Sequence, residues 1–253
     1  MTRGTTNPNR LRRVDRFIAT LPVLKKVNPV VVDLGYGASP ITAIELRDRL
    51  LKVNRTVHVV GVEIEKERVV KGLEIAEPGF DFMLGGFETP LPEGLEKADV
   101  IRAFNVLRQY DERDVKPAWE LMVSRLNQDG ALVEGTCNEI GRVSSWITVT
   151  HDGPRLFTIS LHLGSLEIPS IVAERLPKAL IHHNVPGERI HEYLKALDQA
   201  WATHAPLSSF GAVQRWLAVC ETIAASGWPV VVDRKRWRLG ELSVDWSAVS
   251  PTA

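Results

Sequence analysis

Residues 30 to 40 read Val30-Val31-Val32-Asp33-Leu34-Gly35-Tyr36-Gly37-Ala38-Ser39-Pro40, and the fold is decided there. An apolar run without alternation is what a strand covered on both faces requires. It enters a turn whose two glycines permit left-handed backbone and let a ligand approach closer than side chains would allow. Ser39 is placed to cap a helix, and Pro40 suits the first turn of one. Strand, glycine turn and helix in this order predict the opening unit of a doubly wound α/β sheet with a ligand at the turn.

The rhythm continues downstream. Helices are expected from Pro40 to about Leu51, from Lys66 to about Ile75 and from Val115 to Leu126. Strands are expected at Val57 to Val62, Phe80 to Leu84, Asp99 to Phe104 and Ala131 to Gly135. Five strands separated mainly by helices imply right-handed crossovers. After Gly135 the pattern changes, because Ser145 to Thr150 and Arg155 to Leu163 flank the turn His151-Asp152-Gly153-Pro154 as a β-hairpin. Helices from Ile168 to Leu180 and Gly187 to Thr203 follow. The alternation then resumes with a helix from Phe210 to Ala225, a strand Val230-Val231-Val232 and a closing antiparallel strand near Glu241 to Trp246.

Residues 29–253 are therefore expected to form the main domain, with 138–207 inserted as a hairpin-plus-helices cover over a substrate. Residues 1–28 form an N-terminal arm and helix, in which Leu11, Val14, Phe17, Ile18 and Leu21 share a face and Arg3, Arg10, Arg12, Arg13 and Arg16 supply charge. The arm reads as a solvated lead into a packing helix. A flap bearing arginines over the site is the sharper alternative.

A dinucleotide would call for G-x-G-x-x-G after the first strand. Here the third glycine position is Pro40, and Asp33 puts a carboxylate where a pyrophosphate would be repelled but an ammonium or sulfonium attracted. With those residues in place, Asp33-Leu34-Gly35-Tyr36-Gly37 resembles the first motif of class I S-adenosylmethionine-dependent methyltransferases. Glu63, closing the second strand, resembles their ribose-binding acid. The resemblance covers roughly Val30 to Gly135 and the final helix and strands, and the whole chain is similar to uncharacterised methyltransferases of actinobacteria. It implies a Rossmann-like methyltransferase sheet and S-adenosylmethionine as cofactor. Asp33, Gly35, Gly37 and Glu63 would bind it, with Ile64 on the adenine, Gly86 and Phe87 along the adenine edge, and Asn105 and Val106 at the methionine part. Ser39 and Gly86-Phe87 depart from the family, which often has a glycine at the first position and an Asp followed by a small residue at the second.

Methyl transfer mainly requires alignment of the acceptor and, for a hydroxyl, removal of its proton. The crevice beyond the strand ends points to Arg108 and Tyr110 as substrate contacts. Arg102 and Glu134, charges inside neighbouring apolar strands, are expected to pair or share a polar pocket, with Arg102 toward substrate and Glu134 as a catalytic candidate. His182 and His183, in a turn-rich part of the insertion, are the candidate general bases.

Composition narrows the rest. The 253 residues carry 31 Lys+Arg and 31 Asp+Glu, so no long-range field draws in nucleic acid or an anionic membrane. Cys137 and Cys220 are far apart and outside any metal-ligand spacing, so no metal site is expected. No apolar run approaches the roughly 20 residues of a membrane span. A cytoplasmic enzyme acting on a small or medium-sized acceptor is the leading expectation. RNA or protein methylation, or a catalytically inactive binding protein of the same fold, are the alternatives.

Overall fold

The computed structural model describes residues 7–252, so Arg3 and Gly4 of the arm lie outside the described residues. Eight strands form one sheet: β1 (Val30–Leu34), β2 (His58–Glu63), β3 (Phe80–Leu84), β4 (Ala98–Phe104), β5 (Leu126–Cys137), β6 (Val143–Thr150), β7 (Gly153–Leu161) and β8 (Glu241–Asp245). Their spatial order is β3-β2-β1-β4-β5-β6-β7-β8. The first five are mutually parallel, and every pairing beyond β5 is antiparallel. From β1 the chain winds one way to β2 and β3 and the other way to β4 and β5. That reversal is the point at which open α/β sheets leave a crevice. The expected doubly wound sheet with an antiparallel last strand is thus present.

The helices are α1 (Arg12–Ile18), α2 (Ile41–Leu50), α3 (Lys66–Leu73), α4 (Val115–Ser124), α5 (Lys178–Ile181), α6 (Arg189–Thr203), α7 (Ala212–Ala225) and α8 (Arg234–Trp237). On one face of the sheet, Val14 and Ile18 of α1 and Ala43, Leu46 and Leu50 of α2 pack with Val31, Val59, Val100 and Val133. On the other, Trp119 and Met122 of α4, Tyr193 and Leu197 of α6 and Trp216 of α7 pack with Val32, Val60, Ile101 and Leu132. Successive strand residues feed different cores, which is why these strands read as unbroken apolar runs.

The C-terminal half differs from expectation in three places. The hairpin forms, but as β6 and β7 within the sheet, with Glu134 beside Ile147 and Ser160 beside Glu241. Trp146, Ile147, Phe157 and Ile159 are all fully buried, and strands apolar on both faces belong in a covered layer. The segment Ile168 to Leu180 is not one helix. A 3-10 segment at Pro169–Arg175 gives way to an extended Leu176, because Pro177 disfavours helical backbone in the residue before it. Val230 to Val232 makes only a bridge from Val230 to Val244. Asp233 immediately caps α8 by accepting from the Lys235 and Arg236 amides, so the chain turns away before a strand can extend.

Candidate functional site

A cavity of about 400 Å³ lies at the carboxyl ends of the central strands, where the β1–α2 turn meets the loops after β2, β3 and β4. All the residues assigned to a cofactor from sequence line it: Asp33, Gly35, Gly37, Glu63, Ile64, Gly86, Phe87, Asn105 and Val106. Gly35 and Gly37 adopt φ of 73° and 88°, the left-handed region in which a side chain is costly. A Cβ on Gly35 would also fall 2.7 Å from Val106 Cγ2. Asn105 has φ 61° as well, a conformation Asn tolerates better than most residues. It is held there by accepting from the Cys137 amide at 3.0 Å.

Glu63 is buried, yet its carboxylate faces the cavity. Oε2 accepts from the Gly37 amide at 3.0 Å and Oε1 from the Ile64 amide at 3.1 Å, while Arg68 Nη1 lies 3.6 Å away. One side chain thereby ties the glycine turn to the end of β2. Beside it, burial together with Glu63 and Asp33 holds the Tyr36 phenol above its ordinary range. Its hydroxyl donates to the Arg68 carbonyl.

Asp33 points the other way, into a buried ionic cluster. Arg102 reaches it with Nη2 at 2.6 Å and Nε at 3.0 Å, and Thr42 Oγ1 donates to it at 2.8 Å. The same guanidinium pairs with Asp15 of α1, which also accepts from Arg49 at 2.8 Å. Burial opposes the Arg102 charge, but Asp33 and Asp15 outweigh it and hold the guanidinium protonated. Burial raises the Asp15 carboxyl, with Arg102 and Arg49 pulling it back. Arg49 also lies 3.5 Å from Glu45, so the cluster joins two guanidiniums and three carboxylates, and Asp33, which lines the cavity, bonds Arg102 within it.

The expected Arg102–Glu134 pair does not form. Arg102 stands in register with Val133, so Glu134 projects to the opposite face, toward α4. There burial pushes its carboxyl up to about 8, against a downward pull from the Trp119 indole. The indole Nε1 and both carboxyl oxygens nevertheless fall short of hydrogen-bond geometry.

The remaining candidates divide. Tyr110 lines the cavity and packs its ring 5.1 Å from that of Phe87. Arg108 sits outside it, donating to the Glu174 carbonyl at 2.8 Å. His182 is exposed, and His183 binds Glu112 at 2.7 Å with Glu188 at 3.6 Å. Neither histidine lines the cavity, and no residue of 138–207 does. Those residues pack beside the site instead, where Thr136 Oγ1 donates to the Arg175 carbonyl at 2.6 Å.

Leu34 and Gly85, within the turns already read from sequence, complete the lining together with Arg10, Leu11, Tyr36, Thr42, Arg68, Phe104 and Gln109, which were not assigned from sequence. Most are neighbours of assigned residues and could have been found by widening each loop. Arg10 and Leu11 return from a distant part of the chain, and only the arginine-bearing flap hinted at them. Among the described residues, no group of three His, Cys, Asp or Glu is placed to hold a metal ion. No helix there is long and apolar enough to cross a membrane.

No family model matches the chain, and no curated protein matches it. Among solved structures it is similar to human N-acetylserotonin methyltransferase in complex with S-adenosylmethionine, at 20% identity over 52% of this chain and 36% of that one, with a TM-score of 0.37. Likewise, it is similar to the plantazolicin methyltransferase BpumL in complex with S-adenosylhomocysteine, at 13% identity over 51% of this chain and 49% of that one, TM-score 0.39. A third is the mitomycin 7-O-methyltransferase MmcR, at 18% identity over 50% and 36%, TM-score 0.38. The chain spans about a third to a half of these structures. Similarity at this level is a likeness of chain path over half the molecule, and function has to be read from the cavity.

Proposed function

We propose that the chain binds S-adenosylmethionine in this cavity and transfers its methyl group to a small or medium-sized acceptor. The observation that carries the reading is Glu63. Its two oxygens each accept one backbone amide, which leaves lone pairs on both for the hydroxyls of a ribose. The glycine turn beside it gives the close approach a nucleoside needs. Ile64 is 53% exposed and lines the cavity, as do Phe87 and Tyr110, whose rings pack together, and such apolar surface suits the flat adenine.

When bound, the cofactor supplies an electrophilic methyl group on a sulfonium; the chain's part is to bind, orient and exclude water. The described lining holds no histidine. An acceptor atom that is nucleophilic without prior proton removal, such as an amine, a thiolate or an ionised phenol, suits such a site. Kinship with actinobacterial methyltransferases and a cytoplasmic setting belong to the same reading, the latter supported by two buried free thiols, Cys137 and Cys220. Of the N-terminal arginines, Arg10, Arg12 and Arg13 are engaged internally, all donating to backbone carbonyls between residues 137 and 141.

Calorimetric titration with S-adenosylmethionine and S-adenosylhomocysteine tests the proposal. Micromolar binding that Glu63→Ala weakens tenfold or more, at unchanged thermal stability, is expected. Absence of binding to the wild-type chain, or equal binding by the variant, would remove the reading.

A further inference from the structure

Arg108 lies outside the lining, but its neighbours Val106, Gln109 and Tyr110 belong to it. Its Nη1 donates to the Glu174 carbonyl at 2.8 Å, and no carboxylate of the described residues comes within ion-pair distance. Its Nε and Nη2 groups bond nothing else among the described residues and are open to solvent. Burial, then the nearby Arg175, hold this guanidinium below its ordinary range, and Glu139 opposes them.

Arg175 ends the 3-10 segment and is seated on β5. Its carbonyl accepts from Thr136 Oγ1 at 2.6 Å and from Ser145 Oγ. One residue further along β5, the Cys137 amide donates to Asn105, which lines the cavity. The Arg175 guanidinium meets Glu139 through Nη2 at 3.1 Å, while its Nε is buried without an acceptor. A buried donor left unbonded is costly and marks a place where an acceptor is wanted. The Glu139 side chain is 69% exposed, so its pair with Arg175 is weak and exchangeable.

Arg10, in the N-terminal strap ahead of α1, is fastened to the Asn138 and Cys137 carbonyls and faces the same carboxylate. The backbone bond of Glu139 itself, then Arg175, with Arg10 adding less, hold that carboxyl below its ordinary range. Three guanidiniums thus surround one exposed carboxylate, leaving the β4–β5 side of the cavity electropositive.

We propose that Arg108 and Arg175 form an oxyanion site for the acceptor: the molecule methylated in the cavity carries a carboxylate or phosphate group, which this pair holds. This rests on the S-adenosylmethionine reading and deepens it by naming the acceptor's class. Each guanidinium offers parallel N–H donors in a fixed fork, which matches such a group. Anchoring the charged end beside the cavity turns the nucleophilic end inward, as alignment requires. Residues 138–207 then take part in acceptor recognition through Arg175, from beside the cavity.

The test titrates protein saturated with S-adenosylhomocysteine with inorganic phosphate, benzoate and neutral benzamide, read by proton–nitrogen correlation spectra that include the arginine Nε–H signals. At least one anion should shift the Arg108 and Arg175 signals saturably and bind about tenfold or more tighter than benzamide, the value of a charge-assisted bond. Phosphate alone would indicate a phosphorylated acceptor, benzoate alone a carboxylic one. Arg108→Gln and Arg175→Gln should each weaken that anion about fivefold or more, with S-adenosylhomocysteine affinity by calorimetry within about twofold of wild type. Arg108→Lys should restore part of the loss. No preference for either anion over benzamide, or anion binding unchanged by both glutamine substitutions, overturns the assignment. Competition between the anion and S-adenosylhomocysteine also overturns it, because the pair would then serve the cofactor. Should the variants fail to fold, the wild-type spectra decide: saturable shifts elsewhere and none at Arg108 and Arg175 overturn it. If the wild type binds no S-adenosylhomocysteine, the same titration of the free protein separates the two readings: anion shifts at the pair would sink the cofactor reading alone, and their absence would sink both.

Discussion

Arg102 and Glu134 lie on adjacent parallel strands one register position apart and project to opposite faces of the sheet. One is neutralised by two carboxylates, and the other is buried with neither oxygen hydrogen-bonded. Two charges that look alike in sequence thus have opposite physics.

For Arg102, removing one partner of a buried ion pair costs about 3–5 kcal/mol, because it strands the other charges. Arg102→Met should lower unfolding free energy by that order in urea denaturation. Asp33→Ala should behave similarly, so its loss of ligand binding would report a damaged fold. A stability change in Arg102→Met below about 1 kcal/mol would show the cluster to be incidental.

For Glu134, a folded-state value raised to about 8 means the folded protein holds a proton that the unfolded chain has released above about pH 4.5. Stability associated with this group is full below the unfolded value and falls as pH rises through the folded value. Glu134→Gln keeps the neutral shape, so it should be more stable than wild type at pH 8 and nearly equal at pH 4.5, as read by thermal unfolding at each pH. A constant difference across that range would mean that Glu134 is not protonated in the fold.

Gly35→Ala adds a Cβ 2.7 Å from Val106 Cγ2 at a φ of 73°. The left-handed penalty alone is about 1–2 kcal/mol. The turn should deform, and S-adenosylhomocysteine binding should weaken by more than tenfold with a loss of stability of about 2 kcal/mol. Calorimetry alongside denaturation separates the two effects.

His182→Ala and His183→Ala should leave cofactor affinity within about twofold of wild type, because neither residue lines the cavity. Tyr110→Ala, which removes the ring packed on Phe87, should weaken it severalfold, since a lost aromatic contact is worth about 1 kcal/mol. Fluorescence or calorimetric titration of the three variants would expose the reverse ordering if it occurred.

The parallel half of the fold and its cavity residues were legible because each signal is local: an apolar run, two glycines, an acid at a strand end. Side-chain parity within a strand needs the register, and so Arg102 and Glu134 were read as partners. The hairpin was legible as a hairpin, but its place in the sheet depends on β5 and β8 offering edges to β6 and β7. His182 and His183 drew attention through residue type alone. Arg10 was legible only as one of several arginines in the alternative flap reading, because its partners lie 127 and 128 positions away.

That separation bears on the order of assembly. Arg13 joins the Gly141 carbonyl and also the Leu239 carbonyl, 226 positions on, so the strap is fastened to segments synthesised long after it. Contacts this distant carry a large loop-closure cost and form late. The sheet and its glycine turn can be in place while the far wall is still open. A folding chain would then complete the Glu63 side of the cavity before it closes the Arg10 side.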